Sequence, residues 1–182
     1  MSELLDIAFI SGLIGATMRM ATPIIFATLG EILAERSGVL NLGIEGIMLM
    51  GAMTGFLVTF STGSIWTGVL AAALIGMLLG LLMAFLAVDL GLSQHVSGLG
   101  ITLFSSGLAM FIYRLYVGSP TVPPTIEPFK QIALPVLSKI PLIGPGLFTQ
   151  YSLTYFAWLL IPLMSILLYK TKLGLKIRTV GE

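Results

Sequence analysis

The chain has 182 residues, of which 57% are hydrophobic and 9% charged, with a formal net charge of +1 and a mean hydropathy of +1.05. A soluble domain carries about 25% charged residues, so this composition excludes one and leaves a polytopic membrane protein. One histidine and no cysteine exclude disulfides, thiolate metal sites and iron–sulfur clusters, and the near-neutral charge offers no basic face to nucleic acid, so neither a cofactor nor a nucleic-acid partner is expected.

Each crossing of a hydrocarbon core of about 30 Å takes about 20 apolar residues, so the chain has room for roughly four to six spans and no separate soluble domain. The expected fold is all-α and polytopic, with about five transmembrane helices in a single transmembrane domain over residues 1–182. The N-terminal segment Met1 to Asp6 carries acids and no Lys or Arg, unlike the start of a cleavable signal peptide, so the first helix is expected to remain.

In chain order, residues 4–18 form a short apolar stretch that ends at Arg19, either a span or a helix lying in the interface, with its length favouring the interface. A second stretch runs from Met20 to Leu33, and Pro23 near its start predicts a break. After Glu35-Arg36-Ser37-Gly38, a span is predicted from Val39 to Phe60. Ser61 to Ser64 reads as a turn, followed by the cleanest span, Ile65 to Val88. A link at Asp89 to Gln94 leads to a span from His95 to Val117. Residues 118–150 hold seven of the nine prolines, which predicts a loop folded against the membrane surface or a re-entrant segment. Leu153 to Tyr169 is the last span, with Pro162 inside it.

Lys170, Lys172, Lys176 and Arg178 crowd the C-terminal end, which places that end in the cytoplasm by the positive-inside rule. Arg19, Arg114, Lys130 and Lys139 then fall outside, against the trend. Gly51-x-x-x-Gly55 and Gly76-x-x-x-Gly80 are close-packing motifs, read as seams within the subunit in preference to a dimer contact.

Asn41 and Glu45 interrupt an apolar run. Four residues apart, they would share a helical face, and a carboxylate near the bilayer centre costs about 2.5–3.5 kcal/mol, so Glu45 should face a bundle interior or a water-filled path. The alternative is a carboxylate that ties two helices together. Gly43 and Gly46 beside them would let the backbone break or approach a neighbour, as transporter sites do near the midplane. The translocation residues are therefore taken as Asn41, Gly43, Glu45 and Gly46. His95 reads as a cap, and the aromatic residues from Phe104 to Tyr116 as lipid or packing contacts. The chain has no phosphate-binding loop, paired-histidine metal motif or nucleophile elbow, so any energy source is a gradient or another polypeptide.

The segment Glu35-Arg36-Ser37-Gly38-Val39-Leu40-Asn41-Leu42-Gly43-Ile44-Glu45-Gly46 resembles the signature of nucleoside and simple-sugar permeases of the ribose and branched-chain amino-acid class of ABC importers. Gln94-His95-Val96-Ser97-Gly98 and Gly174 to Glu182 also resemble that family, in the same order. The resemblance implies a non-enzymatic subunit of the inner or plasma membrane that works with ABC ATPase subunits, a second permease subunit and an extracytoplasmic substrate-binding protein. It also implies that Lys176, Arg178 and Glu182 begin the cytoplasmic loop that docks on the ATPase, and that family members continue beyond this point into further spans. Two other readings stay open: a gradient-driven secondary transporter that uses Glu45, and a membrane scaffold fragment packing through its glycines.

Overall fold

The computed structural model describes residues 7–118, 120–135, 137–140 and 144–181. Among the described residues, five helices are long and apolar enough to cross a membrane, and the strands are confined to two short segments. The protein is a multi-pass, all-α membrane protein. Its residues fall into two compact units, one built from 33–128 with 180–182 and the other from 1–32 with 129–179.

Helix α1 runs unbroken from Ile7 to Arg36, with Pro23 inside it. The expected break at Pro23, with an interfacial helix before it, does not occur. A proline costs a helix one backbone hydrogen bond, but inside a membrane the remaining groups find other partners. The carbonyl it leaves without its helical donor is that of Arg19, and the helix continues through the proline to Arg36. The 30 residues reach about 45 Å, more than one hydrocarbon thickness, so both apolar stretches belong to one rod.

In the unit that begins at Leu33, helix α2 (Ile44–Thr62), helix α3 (Ile65–Ala84, extended by one π-helical turn over Phe85–Asp89) and helix α4 (Gln94–Val117) follow one another through short links. The turn after α2 falls as expected: Gly63 takes a left-handed conformation (φ 70°) and donates to Thr59 O at 2.8 Å. Its core is Met50, Leu79 and Ala109, one from each helix, with Ile47, Met53, Ile75 and Leu108 around them. Gly51-x-x-x-Gly55 lies in the α2–α3 seam, where a Cβ on Gly55 would stand 3.3 Å from Gly68 O and 3.4 Å from the Ala72 methyl. Gly80 of the second motif has open space around it. The outward residues of α3 and α4, among them Leu70, Leu78, Leu103 and Leu115, are exposed apolar side chains of the kind that lipid covers.

In the other unit, α1 up to Ile32 packs with the part of the proline-rich segment that follows residue 128 and with helix α6 (Ser152–Lys170). The proline-rich segment is no lone loop. Strands β1 (Gln131–Ala133) and β2 (Thr149–Tyr151) pair antiparallel, Ile132 opposite Gln150, and helix α5 (Gly144–Phe148) leads into β2. Three-residue strands carry no alternation that a sequence could display, which is why the pair was not foreseen. Gln150 is fully buried, its Nε2 donating to Gly146 O and, at 3.4 Å, to Gly15 O of α1. Thr22 and Thr154 join α1 to α6 at 2.9 Å; because the Thr22 hydrogen goes to Met18 O, Thr154 is the donor. Helix α7 (Lys172–Gly181) follows α6 after the Thr171 bend.

Candidate functional site

The α1–α2 link, residues 37–43, is where the helical run stops. Ser37, Gly38 and Val39 fold their N–H groups back on Ala34 and Glu35 carbonyls at 3.0 Å, and Gly38 sits at φ 86°, a conformation that side-chain-bearing residues rarely adopt. Asn41 then closes a small turn, its Oδ1 accepting from the Gly43 N–H at 2.9 Å, and α2 starts at Ile44. The predicted start of this span at Val39 is therefore five residues early. Asn41 precedes the helix and does not share a helical face with Glu45, because its side chain satisfies the link backbone.

The link lies along the first half of α4. Gln94, the first residue of α4, grips it with both ends of its carboxamide: Oε1 accepts from the Leu40 N–H at 2.8 Å, and Nε2 donates to the Gly38 carbonyl at 3.1 Å. Two turns further on, the Thr102 hydroxyl donates to the Leu42 carbonyl at 3.0 Å. The approach is too close for side chains. A Cβ on Gly98 would stand 2.8 Å from Leu42 Cβ, and one on Gly46 would stand 2.6 Å from Thr102 Cα. Gly43 and Gly46 are both buried, Gly43 against Ile101.

Three of the four expected translocation residues, Asn41, Gly43 and Gly46, thus form the contact of the link and the α2 entry with α4. Glu45 is placed differently: it is exposed in the first turn of α2, one residue from the start of a helix about 28 Å long. A carboxylate there is favoured by the partial positive charge of the helix start, and it lies near one end of the span, away from its middle.

Of the expected coupling residues, Lys176 is exposed on α7. Arg178 is half-buried, its guanidinium 5.2 Å from the centre of the Tyr169 ring, a cation–π distance. Glu182 lies outside the described residues. Gly181, its neighbour, meets the link: a Cβ there would overlap the Arg36 carbonyl and stand 2.9 Å from Gly38 N. Residue-by-residue reading missed Gln94, Gly98, Thr102 and Gly181. The signal was present for three of them, since Gln94, Gly98 and Gly181 belong to the second and third motifs, which the fold brings onto the first.

Comparison with known proteins identifies the family. A family model described as the permease component of branched-chain amino acid transport systems matches residues 13–182. Over 179 residues the chain is 40% identical to a putative glucose ABC transporter permease of Haloferax volcanii, covering 96% of this chain and 53% of that protein. It is 34% identical to the guanosine ABC transporter permease of Bacillus subtilis, over 97% of this chain and 57% of that protein. It is also 34% identical to a nucleoside ABC transporter permease of Lactococcus lactis, over 89% and 53% respectively. The chain spans about half the length of these relatives. No solved structure matches significantly. With the family match running over nearly its whole length, the chain belongs to the family of permease components of branched-chain amino acid transport systems.

Proposed function

We propose that this chain supplies part of the membrane path of an ATP-driven importer for nucleosides or related simple sugars. The observation that carries the reading is the set of relatives, whose names specify glucose, guanosine and nucleosides as cargo, together with the single permease family that covers residues 13–182. In this reading residues 1–182 belong to one transmembrane permease domain that continues into the coupling loop. A second permease subunit completes the path, a binding protein outside delivers the cargo, and ATPase subunits inside hydrolyse ATP.

The C-terminal end of α7 is cytoplasmic in this reading, supported by Lys170, Lys172, Lys176 and Arg178 around it. The link 37–43 then faces the same side, and the strand pair the other. Lys176, Arg178 and Glu182 contribute to the ATPase contact, while Asn41, Gly43, Glu45 and Gly46 shape the entry of α2 beside the path. Because Arg178 is held over Tyr169, its role is to set the direction of α7 as much as to touch the ATPase.

The test is subunit omission. The full-length protein is reconstituted with the ATPase, second permease and binding protein encoded beside it, and ATP hydrolysis is followed as guanosine or glucose is added. Stimulation that disappears when this subunit is left out supports the reading. An ATPase that does not associate with this subunit overturns it.

A further inference from the structure

Two residues of α4, Gln94 and Thr102, hold the α1–α2 link from outside it. Residues 39–41 belong to neither helix nor strand, and an irregular backbone at a membrane boundary must find partners for its polar groups. Gln94 provides them. Its acceptor and donor engage Leu40 N and Gly38 O, two residues apart on one edge of the chain, as a peptide group of a neighbouring strand would. Thr102 fixes Leu42 O, so α4 holds the link at Gly38, Leu40 and Leu42, while Asn41 fixes Gly43 N within the link itself.

Gly181 lies at its beginning. A Cβ built on Gly38 would stand 3.3 Å from Gly181 Cα, and one built on Gly181 would overlap Arg36 O. Two backbones touch there with no side chain between them, and close-packed contacts of this kind move as a unit because there is no room to yield. Gly181 is the last residue of the helix that carries Lys176 and Arg178.

We propose that Gln94 is a positioning residue for transport. It clamps the link to α4, so that a displacement of Gly181 is delivered to the α2 entry, with Asn41 and Glu45, and is not absorbed by a slack connection. This inference rests on the importer reading, in which α7 leads into the ATPase contact.

The experiment uses the full-length protein in its complete transporter and counts nucleoside molecules imported per ATP hydrolysed, alongside complex yield and basal ATPase activity. Gln94→Ala is expected to lower the import-to-ATP ratio at least about threefold with yield and basal hydrolysis retained. Gln94→Glu keeps an acceptor for the Leu40 N–H but sets a carboxylate oxygen against the Gly38 carbonyl oxygen, so its ratio should fall as well. Gly181→Ala, which disturbs the same link from the other flank, should also uncouple. If Gln94→Ala does not accumulate, Gln94→Glu and Gly181→Ala carry the test. A ratio held at the wild-type value in the variants that assemble, with only their yield reduced, makes Gln94 a purely structural residue and overturns the proposal. An unsubstituted complex whose ATPase ignores nucleosides overturns the importer reading itself, a failure seen before any variant is compared.

Discussion

Gln94 and Leu40 are 54 positions apart, yet the Gln94 carboxamide oxygen accepts the Leu40 N–H at 2.8 Å. That bond joins the start of α4 to the segment between α1 and α2. It brings the second sequence motif onto the first, and Gly181 on Arg36 and Gly38 adds the third. The motifs that identify the family are thus the parts of one structural joint, and their residue types follow from it: a carboxamide to replace a missing strand partner, and glycines where backbones meet.

The closeness of that joint predicts a contrast between glycines. Gly46→Ala would put a methyl 2.6 Å from Thr102 Cα and should destabilise the protein by about 1–3 kcal/mol. Gly100→Ala, on the same helix as Thr102 but with open space around it, should be neutral or slightly stabilising. Thermal unfolding of the two variants in one detergent checks the difference.

The buried Gln150 should matter more than an exposed polar residue. Gln150→Leu would remove the bonds from its Nε2 to Gly146 O and Gly15 O that tie this segment to α1, and a lost hydrogen bond costs about 0.5–1.5 kcal/mol. The variant is expected to lose protection from proteolysis in the segment around β2 before α2–α4 do; equal loss throughout would count against a local role.

The Thr22–Thr154 bond should contribute less. In Thr154→Val the Thr22 hydroxyl keeps its bond to Met18 O, so no hydrogen is stranded, and interhelical bonds in membranes average about 0.6 kcal/mol. A fall in unfolding midpoint close to the error of measurement is expected, whereas a large fall would mean that the α1–α6 contact depends on this pair.

Glu45 tests the assignment of the path. Glu45→Gln should leave folding intact, because the side chain is exposed, and should lower nucleoside uptake about tenfold, equivalent to about 1.4 kcal/mol, if the carboxylate shapes the path. Uptake equal to wild type would remove Glu45 from the path.

The spans were legible in the sequence wherever hydropathy alone decided them. Ile65 onward, His95 to Val117 and Leu153 to Tyr169 agree with α3, α4 and α6 to within one or two residues, because unbroken apolar runs of that length have one solution in a bilayer. Pro23 misled because its penalty is local, one missing backbone hydrogen bond, and does not by itself end a 30-residue helix. Asn41 misled because a four-residue spacing implies a shared face only inside a helix, and the helix begins after it. The contacts of Gly46, Gly98 and Gly181 depend on which backbone lies opposite, which no local pattern records. Their grouping was visible only through the motifs.

The most direct test of the central claim is nucleoside uptake into proteoliposomes holding the complete transporter, energised either by internal ATP or by a proton gradient alone. ATP-dependent uptake that requires this subunit and ignores the gradient is the predicted result. Uptake driven by the gradient without ATP would contradict it.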